Sequence, residues 1–157
     1  MWKAITGNLI ISAGTIIENA VGGSGDDTLN GGNHNDTLDG GSGDDTLQGK
    51  RGVDTIYGGE GHDFIDGGDK GDTVYGGDGD DILRGSDGDD TIDGGDGADV
   101  AVFAGLQGDY TFASSEDGLT ITVTDRSTGD TDTVTNVETL SFDDGDIGVS
   151  HDGTGLV

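Results

Sequence analysis

The 157-residue chain is strongly acidic and poor in apolar residues, with a formal charge of -27 from 33 acidic and 6 basic residues and a hydrophobic content of 29%. Such a charge excludes nucleic acid and anionic membranes as natural partners and favours divalent cations. The 34 glycines and the lack of proline increase the entropy that the chain loses on ordering. We therefore expect a largely disordered chain until its charge is compensated. Because there is no cysteine, disulfide bonds and thiolate metal sites are excluded.

Residues 1–21 form an amino-terminal segment that lacks the basic start and long apolar core of a signal peptide. No apolar run in the chain approaches the roughly 20 residues of a membrane span. Counting back in steps of nine from the repeats that follow predicts inward side chains at Ala20 and Ile11, and hence one or two metal-free capping strands. We interpret Trp2 as a lid over the end of the core, with a cofactor or sugar platform as the alternative.

Residues 22–102 contain nine tandem copies of one nine-residue pattern, Gly-Gly-x-Gly-x-Asp-x-U-x, in which U is aliphatic. The fourth to ninth copies restart at Gly49, Gly58, Gly67, Gly76, Gly85 and Gly94. The sixth position is always aspartate: Asp27, Asp36, Asp45, Asp54, Asp63, Asp72, Asp81, Asp90 and Asp99. The eighth is Leu29, Leu38, Leu47, Ile56, Ile65, Val74, Leu83 and Ile92, and Ala101 in the last copy. A disordered low-complexity linker is the alternative, but it has no reason to keep an apolar residue in strict phase.

Each copy combines a glycine-rich turn with a strand of three residues, x-U-x, which is incompatible with a helix. Two copies then make one coil of 18 residues, and the aliphatic side chains of two facing sheets fill a thin core. The predicted fold is all-β: a parallel beta-roll, a right-handed β-solenoid of nonapeptide repeats, with an antiparallel β cap at the carboxyl end.

Stacking places the turns in two columns, one from odd and one from even copies. Each turn offers backbone carbonyls and one carboxylate, the hard oxygen donors of which Ca²⁺ takes six to eight. An aspartate and its counterpart two copies later, such as Asp27 and Asp45, are then positioned to hold one ion between coils. Nine copies predict seven such sites, and seven Ca²⁺ ions would reduce the formal charge from -27 to -13.

All copies with an unusual glycine position are even-numbered, since Lys50 and Ser86 occupy second positions while His34 and Lys70 occupy fourth positions. Such residues would need dihedral angles that glycine adopts more easily, and the two ammonium groups would oppose cation binding. The sequence therefore predicts a strong odd column and a weaker even column of sites.

The outward seventh and ninth positions are polar in even copies but become apolar along the odd copies, at Phe64, Ile82 and Val100. We expect another segment to cover this odd face. A threonine column on the even face is typical of ordinary strand propensity, with ice or polysaccharide binding as the alternative. Neither a shared zinc site among the histidines nor a protease or hydrolase motif is present, so no enzyme activity is expected.

In residues 103–157 the nine-residue period stops, and alternation predicts strands at 109–113, 119–125, 131–136 and 138–142. We expect an antiparallel sheet that covers the odd face and caps the last coil. The apolar side chains assigned to this role are Tyr110, Phe112, Leu119, Ile121, Val123, Val134, Val137, Leu140 and Phe142. Residues 143–146 are interpreted either as an extra calcium loop or as a solvated turn.

The repeats resemble the RTX beta-roll of secreted bacterial proteases, lipases, epimerases and toxins, and residues 14–27 resemble its entry in serralysin-type proteases. The resemblance implies carbonyl ligands at positions two and four of one turn and one and three of the turn above. For the first site these belong to Gly23, Gly25, Gly40 and Ser42. For the other sites they belong to Gly32, His34, Gly49, Arg51, Gly41, Gly43, Gly58, Glu60, Lys50, Gly52, Gly67, Asp69, Gly59, Gly61, Gly76, Asp78, Gly68, Lys70, Gly85, Asp87, Gly77, Gly79, Gly94 and Asp96.

Residues 136–145 are similar to the segment that follows the repeats in type I secreted proteins, where the tail carries an uncleaved export signal. The final residues 155–157 lack the acidic and apolar ending of that family, and no protease domain is present. The resemblance implies a secreted, monomeric, calcium-dependent folding module that meets the type I secretion machinery during export. The alternative is a polysaccharide-binding accessory module like that of an alginate epimerase.

Overall fold

A computed structural model describes residues 5–6, 19–116, 118–150 and 155–157. The first strands are β1 (Ile5–Thr6), β2 (Asn19–Ser24), β3 (Thr28–Gly32), β4 (Thr37–Ser42), β5 (Thr46–Arg51), β6 (Thr55–Glu60), β7 (Phe64–Asp69), β8 (Thr73–Asp78), β9 (Ile82–Asp87), β10 (Thr91–Asp96) and β11 (Val100–Val102). After a 3-10 turn at Gln107–Asp109 follow β12 (Tyr110–Ser114), β13 (Thr120–Asp125), β14 (Thr131–Thr135), β15 (Thr139–Phe142), β16 (Gly145–Ser150) and β17 (Gly155–Leu156). The predicted all-β class is confirmed. No helix in the described part of the chain is long and apolar enough to cross a membrane.

The strands form two sheets, and from β2 to β11 successive strands alternate between them. One sheet has the order β1-β2-β4-β6-β8-β10-β14-β13-β12, and the other β17-β16-β15-β11-β9-β7-β5-β3. Adjacent repeat strands are parallel and two copies apart, so that Leu38 pairs with Ile56 in one sheet and Leu47 with Ile65 in the other. The predicted coil of two copies is confirmed.

The repeat strands are longer than the predicted x-U-x. Most contain six residues because parallel pairing resumes beyond the first glycine of the next copy, as between Gly41 and Gly59 and between Ser42 and Glu60. The second and third positions of each turn are therefore held in register with the coils above and below. This register aligns the backbone groups of successive turns.

The interior of the roll is a single line of aliphatic side chains from each sheet. The eight aliphatic residues at the eighth positions, from Leu29 to Ile92, and Ala101 are fully buried. Ala20 on β2 is 6% exposed and pairs with Leu38, so its side chain points inward as the count in steps of nine predicts. The predictions for Ile11 and Trp2 fall outside the described residues.

The carboxyl-terminal segment extends both sheets. Strands β14 and β15 continue the parallel stack on β10 and β11, and β13, β12 and β16 then add in antiparallel fashion. The four predicted strands are found within one residue of their expected starts. The aromatic rings of Phe103, Tyr110, Phe112 and Phe142 pack together over the end of the roll, which confirms the capping role.

The expectation that this segment covers the odd face was wrong. Ile82 remains 44% exposed, and Leu119, assigned to the covering surface, is 47% exposed. The reason is geometric: β14 and β15 satisfy the open hydrogen-bonding edges of the last coil, which directs the cap onto the end of the stack rather than onto its side. The alternation pattern also missed β16 and β17.

Candidate metal centres between stacked turns

The sixth-position aspartates form two ladders of backbone-to-carboxylate hydrogen bonds. The backbone N–H of Asp27 donates to Oδ1 of Asp45 at 2.6 Å, and the N–H of Asp45 donates to Oδ1 of Asp63 at 2.8 Å. The same bond, at 2.7–2.8 Å, links the other pairs two copies apart through to Asp90 and Asp99. Every one of the nine carboxylates is at most 3% exposed. The predicted pairing of aspartates along the two columns is thus present in the backbone register.

The second oxygen of these carboxylates is the unusual group. In the described part of the chain, Oδ2 is buried and has no hydrogen-bond partner in Asp45, Asp54, Asp63, Asp72, Asp81, Asp90 and Asp99. Burying an ionised carboxylate oxygen without a partner is costly, and native proteins rarely leave such groups unsatisfied. A periodic row of them is expected where a cation supplies the missing interaction.

The first glycine of each copy shows where Oδ2 lies. A Cβ atom built on Gly67 would lie 2.6 Å from Oδ2 of Asp72 and 2.8 Å from the carbonyl oxygen of Gly85 in the turn above. The carboxylate of one turn and a carbonyl of the next therefore share the same side of Gly67, and any larger residue there would occupy the space between them. The same pair of oxygens surrounds the first glycine of every copy from Gly22 to Gly76.

This donor set fits a hard cation. It consists only of carboxylate and carbonyl oxygens, the ligands that Ca²⁺ prefers. Among the described residues, no three histidine, cysteine or carboxylate side chains converge on one point. Two carboxylates per site, completed by backbone carbonyls, is the arrangement that the repeat pattern itself predicts.

Burial also alters the proton affinity of the ladder. Desolvation, together with the like charges of neighbouring ladder carboxylates, raises the pKa of Asp72 and of Asp81 to about 7. Burial likewise raises the pKa of Asp45 and Asp90 to about 6. Burial also raises the pKa of Asp54, and the hydrogen bond from the backbone of Asp36 and the positive charge of Lys70 partly oppose this rise. In the absence of a cation, these carboxylates therefore bind protons near neutral pH.

The two columns differ in their backbone hydrogen bonds. In the odd column, the fourth-position N–H of Gly25, Gly43, Gly61 and Gly79 donates to the third-position carbonyl of the turn above at 2.6–2.8 Å. The even column has one counterpart among the described residues, at 3.4 Å from Gly52 to Asp69. The odd turns are therefore stacked more regularly. This agrees in direction with the expected difference in metal affinity, which itself stays a prediction.

Three of the four non-glycine residues at glycine positions of the even column adopt the left-handed dihedral angles that were expected. Lys50, Lys70 and Ser86 have φ values of 81°, 80° and 80°, in the left-handed region that favours glycine. His34 does not have a positive φ, so the expectation was wrong at that position. The turn of the second copy thus departs from the glycine geometry rather than imposing it on histidine.

Replacing Lys50 by glycine should stabilise the calcium-loaded protein by about 1 kcal/mol, because glycine removes the cost of a left-handed conformation at a residue with a Cβ atom. Lys50→Ala is the matched control, since it removes the same charge but keeps the backbone cost. The free energy of unfolding, measured with urea in saturating calcium, should rise more for Lys50→Gly than for Lys50→Ala, which gains only the removal of the ammonium charge. Equal stabilisation by both variants would assign the effect to charge instead.

The remaining polar groups singled out in the sequence have other roles. The exposed His62 lies in a position-five ladder of the odd column, where its Nδ1 accepts a hydrogen bond from the N–H of Asp80 at 2.9 Å. Asp143 and Asp144 accept hydrogen bonds from the N–H groups of Gly105 and Gln107, and both carboxylates are exposed. The geometry at 143–146 is that of a solvated turn that anchors a neighbouring loop.

Sequence reasoning missed two carboxylates that continue the ladders beyond the repeats. The N–H of Asp90 donates to Oδ1 of Asp132 at 2.9 Å, and the N–H of Asp99 donates to Oε2 of Glu138 at 2.7 Å. Their separations of 42 and 39 residues hide them from a search at a period of nine. A local signal was available, because Asp132 and Glu138 each begin an acid-Thr-aliphatic triplet like that at Asp27.

Sequence comparison agrees with this geometry. The model of the RTX calcium-binding nonapeptide repeat (4 copies) matches residues 12–47, 39–73 and 66–101, more than half of the 157 residues. The chain therefore belongs to this family and is an RTX calcium-binding beta-roll module. No match was found among curated proteins.

Proposed function

We propose that the chain is a non-catalytic module of a secreted RTX protein, which folds when it binds calcium and so assists type I secretion. The observation that carries this proposal is the row of buried Oδ2 atoms without hydrogen-bond partners, which from Asp45 to Asp81 lie on the same side of a glycine as a carbonyl oxygen of the next coil. The repeats at 22–102 would hold the ions, with residues 1–21 and 103–157 as the two caps. The catalytic work, if any, would belong to another part of a larger protein.

Seven ions between the coils would be held by pairs of sixth-position aspartates two copies apart. Carbonyl oxygens from the first to fourth positions of the two turns would complete each site, as the resemblance implies. The first-position carbonyls have the best support, because they already share one side of a glycine with a carboxylate oxygen. The assignments of the second-, third- and fourth-position carbonyls rest on the resemblance.

Calcium would act here as the main source of folding free energy. The nine turns bring a line of buried carboxylates together, and their repulsion opposes folding until cations are bound. At the low calcium of a cytosol the chain would stay extended and easy to thread through a secretion channel. At millimolar calcium outside the cell, binding would fold it.

A polysaccharide-binding role is the second candidate, because two tyrosines form an exposed aromatic pair on the even face. The rings of Tyr57 and Tyr75 are stacked with centroids 5.0 Å apart and are 42% and 36% exposed. An exposed tyrosine pair offers an apolar surface together with hydroxyl groups, a combination that is enriched at binding interfaces. Binding to alginate or to glycans on an array that is lost in Tyr75→Ala would favour this role. Failure of the unmodified chain to bind any of these glycans would exclude it.

The calcium role is tested by comparing Asp63→Asn with Asp39→Asn. Asp63 belongs to two successive pairs, with Asp45 and with Asp81. Asp39 points outward at a ninth position, so Asp39→Asn removes the same charge without changing either pair. In equilibrium dialysis with calcium, Asp63→Asn should bind two ions fewer than the unmodified chain, and Asp39→Asn should bind the same number. If the unmodified chain binds no calcium at about 10 mM, well above the affinity range of extracellular modules, the proposal is wrong.

A further inference from the structure

The carboxylate ladders do not end with the ninth copy. Strand β14 pairs with β10 in the register Thr91 to Thr133, which places Asp132 directly above Asp90. Strand β15 pairs with β11 in the register Val100 to Thr139, which places Glu138 above Asp99. Both registers are those that relate one repeat coil to the next.

The hydrogen bonds around these two positions also follow the repeat pattern. In the repeats, the N–H of Thr91 donates to the carbonyl of Asp72 at 2.9 Å, and the N–H of Thr133 donates to the carbonyl of Asp90 at 2.8 Å. In the other column, the N–H of Thr139 donates to the carbonyl of Asp99 at 3.1 Å. Strands β14 and β15 therefore form an additional coil, although they lack the nonapeptide sequence.

The last carboxylates of the repeats present buried oxygens to this additional coil. Asp90 is 2% exposed and Asp99 is fully buried, and Oδ2 of each has no hydrogen-bond partner in the described part of the chain. A Cβ atom on Gly94 would lie 2.5 Å from Oδ2 of Asp99 and would contact the carbonyl oxygen of Asn136. Asn136 thus supplies the carbonyl that the first position of a further copy would have supplied.

The surroundings favour a cation at these positions. Asp132 is 8% exposed and lies close to the charges of Asp89, Asp90 and Asp130. No lysine or arginine forms an ion pair with Asp90, Asp99 or Asp132 in the described ranges. Buried carboxylates that face one another without a cationic side chain are costly, and a bound metal ion compensates them.

We propose that two further calcium ions bind at the junction between the repeats and the carboxyl-terminal cap. One is held between Asp90 and Asp132, and the other between Asp99 and Glu138 with the carbonyl of Asn136. This inference rests on the proposed function of the repeats. It makes the cap part of the metal-binding unit, so that calcium docks β14 and β15 onto the last coil.

The test uses the full chain and the variants Asp132→Asn, Glu138→Gln and their double variant. The amide side chains keep an oxygen that accepts the hydrogen bonds from Asp90 and Asp99 but remove the charge. Glu116→Gln is the control, because Glu116 is exposed in a cap turn outside both columns. Equilibrium dialysis with calcium should show one ion fewer in each single variant, two fewer in the double variant, and no loss in the control.

The outcomes separate the two proposals. If the unmodified chain binds no calcium, the proposed function itself fails. If the unmodified chain, the control and the double variant all bind the same number of ions, only the junction sites are refuted. The seven sites within the repeats are unchanged in the double variant, so it must still gain its β-strand circular dichroism in calcium. A double variant that stays unfolded there would also overturn the inference.

Discussion

In calcium-free buffer at neutral pH, we expect the chain to lose its β structure and to expand to a radius of gyration of about 42 Å, the size of an unfolded chain of this length. Calcium should restore the fold in one cooperative transition. Far-UV circular dichroism and small-angle X-ray scattering, recorded with a chelator and with millimolar calcium, measure the two properties independently.

We expect unfolding without calcium because the apolar core contributes little to the stability of the folded state. Each nine-residue copy buries one aliphatic side chain, such as Ile56 or Ile65, while it orders a turn rich in glycine. Each copy also buries one carboxylate, and a net charge of -27 repels itself throughout the chain. Without cations, these unfavourable terms exceed what the aliphatic line and the strand hydrogen bonds provide.

Magnesium is the appropriate control for ionic strength and charge. Because Mg²⁺ requires near-octahedral geometry and gives up its water reluctantly, the same concentration of magnesium should leave the chain unfolded. A β spectrum in excess chelator would show that the core alone suffices, and the central role of calcium would have to be abandoned.

Acidification should affect the calcium-loaded and calcium-free forms in opposite directions. The folded-state pKa of Asp72 and Asp81 is raised from 3.8 to about 7 by burial. A raised carboxyl pKa means that the folded state binds protons more tightly than the unfolded state does. Its contribution to stability is therefore fully present below pH 3.8 and is lost as the pH rises through about 7.

Without calcium, lowering the pH from about 8 to about 5 should therefore increase the folded fraction, because protons then replace the cation in neutralising the ladders. With limiting calcium, the same change should weaken binding, because the carboxylates must lose their protons first. Below pH 7, the calcium midpoint should rise by about tenfold per pH unit for each proton released on binding.

These effects are measured by calcium titrations followed by circular dichroism at pH 6 and pH 8, together with a pH titration in calcium-free buffer. Asp39→Asn, which removes an outward carboxylate, should show the same dependence as the unmodified chain. Identical calcium midpoints at the two pH values would mean that the ladder carboxylates are already ionised at pH 6, contrary to their buried environment.

Part of the fold was predictable because the relevant information is local and repeated. The phase of one aspartate and one aliphatic residue in every nine determines which side chains point inward, and the burial of Asp63 and Ile65 agrees with it. The glycine positions predict the turns, and the coil of 18 residues follows from stacking two copies. The left-handed φ of Lys50 was predictable for the same reason, since a regular coil imposes the dihedral angles of its neighbours.

The cap was harder to predict because its contacts are not periodic. Alternation located β12 to β15 and their place over the end of the roll, but the expectation that they also cover its odd face was wrong. That decision depends on which strand edges remain open, and the edges of β10 and β11 are a property of the assembled stack.

By itself, the sequence determined the repeat, the all-β solenoid and the columns of buried aspartates, because each copy carries its own turn and its own inward residues. Only the tertiary structure decided that Asp132 and Glu138 extend those columns. Their distances along the chain are set by the lengths of the loops and hairpin between the last repeats and β14 and β15. No nine-residue period includes those lengths, whereas strand pairing across the last coil brings both carboxylates into register.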